Sequence, residues 1–144
     1  MTTALYETDF YAWTLRQADL LKHEEFSEVD WQNLIEEIEG MARSDRRSLE
    51  NRLRVLFVHL LKLSCIPAGN PSRGWRATVT EQRMRIGRIL NENPSMMTLL
   101  PSAIRSVYAE ARVKASGEPE MVDVDFPVDC PWAPEQILDL DWLP

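Results

Sequence analysis

Apolar residues recur at helical spacing along most of the chain, and nothing reads as a strand pair beyond one short run at Met121–Val124. Tyr6, Phe10, Trp13, Leu20 and Leu21 predict a first helix over 6–22, with Asp9 as an early cap or first-turn acid. A polar, acidic stretch at 23–29 reads as a turn, and Asp30 as the N-cap of a second helix. The apolar set of that helix, Trp31, Leu34, Ile35, Ile38 and Met41, lies on one face. Gly40 and Ser44 weaken its end and predict a break or kink at 40–44.

A third helix over about 44–65 is expected at the centre of the fold. From Leu53 to Leu63 it has hardly any polar face, and a helix apolar nearly all round is buried nearly all round. The run Ile66-Pro67-Ala68-Gly69-Asn70-Pro71 is a loop signal whose last two residues supply an N-cap and first-turn pair. A fourth helix to Leu90 carries Trp75, Val79, Gln82, Ile86 and Ile89. A fifth segment starts at Ser95, and Pro101 must kink or restart it. The expected fold is one all-α domain over 1–144. It is read as an antiparallel bundle of four main helices with a kinked fifth segment. Residues 116–144 would form an irregular acidic arm with aromatic anchors and one short helix at 134–139, packed on the bundle.

The 144 residues suit one domain, and 44% apolar with 27% charged composition is that of a folded protein. Two cysteines, Cys65 and Cys130, make no disulfide framework. No basic cluster precedes an apolar run near Met1, and no stretch suits a membrane span, so a cytoplasmic protein without membrane contact is expected.

Charge is segregated. Residues 1–42 hold ten acids and two bases, 43–88 three acids and eleven bases, and 116–144 eight acids and no base. Two readings follow: the acidic segments pair internally with the basic middle, or that middle binds nucleic acid.

Several short motifs stand in a particular order: Tyr6-x-x-Asp9-Phe10-Tyr11-x-Trp13, Asp30-Trp31-x-x-Leu34-x-Glu36-Glu37-Ile38, His59-Leu60-Leu61-Lys62, Trp75-Arg76-x-Thr78-x-x-x-Gln82-Arg83, Cys130-Pro131-Trp132 and Asp141-Trp142-Leu143-Pro144. Together they resemble the bacterial family called domain of unknown function 29. The resemblance implies an all-helical fold and brings no activity. Ala133-Pro134 departs from it, since a hydroxyl or other capping residue is expected before the last helix.

Asp45, Arg52 and His59 are spaced by seven, and Lys62 follows His59 at i+3, so a polar stripe runs into the apolar part of the third helix. A buried Lys or His is costly unless paired. Glu36 and Glu37 are the natural sources of negative charge, and Arg76, Gln82 and Arg83 of the fourth helix are expected to join them. The candidate cluster is therefore Glu36, Glu37, Asp45, Arg46, Arg52, His59, Lys62, Arg76, Gln82 and Arg83. It is read first as a structural ion network, and otherwise as an anion-binding or catalytic site with His59 as acid or base. Arg47, Arg54, Arg73 and Arg85 make a candidate basic surface for nucleic acid. With only His23 and His59, the di-iron, zinc and metalloprotease patterns are missing, and no phosphate-binding glycine loop occurs. No metal or cofactor is expected. The leading expectation is a non-catalytic interaction or regulatory module for a protein partner.

Overall fold

Asp9 does cap a helix, but it divides the expected 6–22 helix in two. The computed structural model describes residues 2–65 and 73–144. In it α1 spans Thr2–Thr8 and α2 spans Phe10–Lys22. The Asp9 carboxylate accepts from the Ala12 N–H at 3.0 Å, and its φ of −150° lies outside the helical region. One residue therefore ends the first helix and opens the second.

α2 closes in a Schellman turn, with the Glu24 N–H bonded to the Leu21 carbonyl and the Glu25 N–H to that of Leu20. Glu24 occupies the left-handed position at φ 58°, where a side chain costs about 1–2 kcal/mol. Glu24→Gly is expected to raise stability by about 0.5–1 kcal/mol once the freer unfolded chain is counted. A higher urea midpoint at unchanged m value would show it.

α3 spans Trp31–Ser64 without interruption. Asp30 opens it, Oδ1 accepting from the Asn33 N–H at 3.5 Å. The break expected at 40–44 does not occur. A lone glycine costs a helix only about 1 kcal/mol. Against it, Arg43 reaches Glu36 at 2.8 Å and Glu39 at 3.8 Å, and Arg46 reaches Glu50 at 3.2 Å, all along the same helix. No proline or left-handed residue is present there to end the ladder.

α4 spans Arg73–Glu92. The loop expected at 66–71 and its Asn70–Pro71 cap fall outside the described residues. A 3₁₀ stretch, Pro94–Leu99, leads into α5, Leu100–Ser116. Pro101 lies in the first turn of α5, where its missing N–H breaks no bond, so the helix restarts there and is not kinked. The strand-like run at 121–124 is not a strand. Pro119–Met121 is a 3₁₀ turn, and the Val124 N–H returns to the Met121 carbonyl at 3.1 Å. α6, Pro134–Leu138, begins without a hydroxyl cap: Pro134 has no N–H to satisfy, and Gln136 Oε1 accepts from the Ala133 N–H at 2.9 Å. The fold is all-α. Among the described residues there is no strand, and no helix is long and apolar enough to cross a membrane.

The chain folds into two compact units, Met1–Ser44 and Asp45–Pro144, with α3 running from the first into the second. The second unit holds a large core. Leu53, Leu56, Phe57 and Leu60 of α3 are fully buried in one cluster with Val79 and Ile86 of α4 and Val107, Tyr108 and Ala111 of α5. Phe57 meets Tyr108 edge-on at 5.7 Å. The first unit buries much less: Trp13, Leu20 and Val29, with the polar Gln17 and Asp30. Its small core is fastened by aromatic contacts, Tyr6 and Phe10 lying 4.8 and 5.6 Å from the Trp13 ring.

Candidate functional site

Within the first unit α3 carries its apolar residues on one face. Trp31, Leu34, Ile35, Ile38 and Met41 have the pattern of a buried stripe, yet only Leu34 is even half-buried. Trp31 is 47% exposed, Ile35 51%, Ile38 58% and Met41 67%. α2 adds Phe10, Tyr11 and Leu15, each about half exposed or more. Between the two helices lies a cleft of about 440 Å³. Phe10, Thr14, Gln17 and Leu21 line it from α2, and Leu34, Ile38 and Met41 from α3.

A hydrogen-bond network ties α2 to the start of α3 beside the cleft. The buried Trp13 indole N–H donates to Asp30 Oδ2 at 3.1 Å, and Asn33 Nδ2 donates to the same oxygen at 2.8 Å. The Asp30 N–H donates to Gln17 Oε1 at 2.8 Å. Burial pushes the Asp30 carboxyl up, but the hydrogen bonds from Asn33 and Trp13 outweigh it and hold the group below its ordinary value. Tyr6 donates to Glu37 at the edge of the cleft, and that bond holds its phenol above the usual range. Gln17 Nε2 is buried with no acceptor among the described residues, although its amide oxygen is used. An unpaired buried donor is uncommon and asks for an explanation.

The polar residues expected to converge instead have separate partners. Glu36 pairs with Arg43, and Glu37 accepts from Tyr6. Arg46 pairs with Glu50, while Asp45 and Arg76 are exposed and Arg52 is half-buried. His59 Nδ1 lies 2.8 Å from the Val55 carbonyl of its own helix. Lys62 is buried, and its acids are Glu120 at 3.4 Å and Glu118 at 3.9 Å, with the ammonium 4.3 Å over the Trp75 ring. Gln82 is buried and its Oε1 has no donor among the described residues.

Arg83, 3% exposed, makes no carboxylate pair among the described residues. Its guanidinium donates to the carbonyls of Ile137 at 2.7 Å, Trp142 at 2.6 Å and Gln136 at 3.2 Å. Burial lowers its pKa, and Asp139 opposes the shift. Tyr108 Oη and Arg112 Nε similarly donate to the carbonyls of Pro127 and Phe126. These buried and half-buried donors clasp the acidic C-terminal segment through its backbone.

The candidate basic surface is partly neutralised. Arg54 meets Glu110 at 2.6 Å and Arg85 meets Glu81 at 2.8 Å, whereas Arg47 and Arg73 are exposed. A wider concavity of about 650 Å³ lies beside Thr80, Met84, Arg85 and Arg88, but among the described residues α4 alone lines it. Among the described residues no three His, Cys, Asp or Glu side chains converge as metal ligands would.

Sequence reasoning missed Gln17 as a lining residue, Asp30 as a buried acceptor for Trp13, and Glu118 and Glu120 as the partners of Lys62. Only the motif Asp30-Trp31 hinted at the first group. Residues 5–143 match the family described as Domain of unknown function DUF29. No curated protein and no solved structure matches the chain.

Proposed function

Because the chain belongs to the DUF29 family, which carries no assigned activity, we propose a function from its own geometry: a non-catalytic interaction module that docks a protein partner in the cleft of the first unit. One observation carries the reading. A stripe with the period of a core face is left open to solvent on α3, and its Ile38 and Met41 wall the cleft opposite the half-exposed Phe10 of α2. Contiguous exposed apolar surface on a folded protein marks a place where another surface sits. Chemistry has less to draw on, because Lys62, Arg83 and His59 are each engaged by groups of the protein itself.

The test compares the protein with an Ile38→Gln, Met41→Gln double variant. Glutamine keeps helix propensity close to that of the residues replaced while removing the apolar contact. Both proteins are immobilised and exposed to an extract of the cells the protein comes from. The reading expects one protein held near stoichiometry by the parent and lost by the variant. Identical retention on both would rule the cleft out as the docking surface.

A further inference from the structure

Resting on the docking reading above, we infer that the occupant of the cleft is an amphipathic helix of a partner protein that carries lysine or arginine beside its apolar stripe.

The shape argues for a helix. The cleft runs between α2 and α3, and its α2 wall extends from Phe10 to Leu21, about 17 Å or three helical turns. Two helices offering an apolar seam are one surface short of a three-helix bundle, and a third helix laid in the groove completes it.

The charge argues for a basic one. Met1–Ser44 holds ten acidic and three basic residues, and Asp45–Pro144 thirteen of each. The whole net charge of −7 therefore belongs to the unit that bears the cleft. Of its three bases, Arg43 is already engaged by Glu36 and Glu39. A field of that sign draws in a cationic partner and repels an anionic one. It disfavours a second copy, whose own first unit is equally acidic, and it disfavours an anionic lipid surface or a carboxylate ligand.

The experiment selects displayed peptides about five helical turns long. Each has a fixed leucine stripe at i, i+3, i+4 and i+7, with Lys, Glu and Gln randomised on both flanks. Selection runs in parallel on the whole parent protein and on the Ile38→Gln, Met41→Gln variant, near physiological ionic strength. The inference expects peptides enriched on the parent alone, with Lys outnumbering Glu on the flanks. Changing those Lys to Glu should weaken binding about tenfold or more. Parent-specific peptides with neutral or acidic flanks would overturn the inference and leave the docking reading standing. Equal enrichment on both proteins would overturn the docking reading itself. A dimer in equilibrium sedimentation that the variant abolishes would place a second copy in the cleft and overturn the inference.

Discussion

Arg83→Met is expected to destabilise the second unit by about 3–5 kcal/mol, because the buried guanidinium is the donor that ties the C-terminal carbonyls to α4. Methionine fills much of the volume but donates nothing. The carbonyls of Ile137 and Trp142 then lose the guanidinium that binds them, while that of Gln136 keeps the Asp139 N–H. Each acceptor left buried without a partner costs about 1–3 kcal/mol. The Trp142 ring, 5.9 Å from the guanidinium and edge-on to Trp132, loses its cation as well. The damage should be local in kinetics as well as global in energy. Amide exchange should rise first at Pro134–Leu138, since α6 is held by Arg83 through two of its own carbonyls and through that of Trp142. Arg83→Lys should recover only part of the loss, because an ammonium cannot span three carbonyls as a planar fork does. Urea unfolding with exchange mass spectrometry measures both effects.

Asp30→Ala should cost the first unit about 2–4 kcal/mol. It removes the cap of α3, about 1 kcal/mol, and leaves the buried Trp13 N–H without an acceptor, about 1–3 kcal/mol more. The same carboxylate sets an acid limit. Its folded pKa lies below its ordinary value near 3.8. Its contribution is therefore fully present above that ordinary value and is lost as pH falls through the depressed folded one. Acid titration should loosen the first unit below about pH 4, and Asp30→Asn should flatten that dependence. Circular dichroism across the acid range would check the loss, with the parent and the Asn variant side by side.

The helices were largely legible in the amino-acid sequence because their signals are local. Asp9 and Asp30 cap within three residues of themselves, and the run from Leu53 to Leu63 can only be buried. The continuous α3 was less so: Gly40 reads as a breaker, while the Arg43 pairs that offset it are weak and easily overlooked. The polar sites were hardly legible at all. Lys62 takes its charge partners from Glu118 and Glu120, more than fifty residues away, when the nearer Glu36 and Glu37 looked the natural source. Arg83 bonds to backbone carbonyls, which every residue has and no pattern marks. The cleft was half legible. The stripe from Trp31 to Met41 was visible as apolar, but a face covered by its own chain and a face kept open for another have the same period.

That ambiguity is open to one direct measurement, the unfolding stability of the isolated Ile38→Gln, Met41→Gln protein. If the stripe is a docking face, both side chains already lie in water, and stability should match the parent within about 0.5 kcal/mol. A loss of about 2 kcal/mol or more would mean that the protein's own fold depends on burying Ile38 and Met41, and would contradict a face held open for a partner.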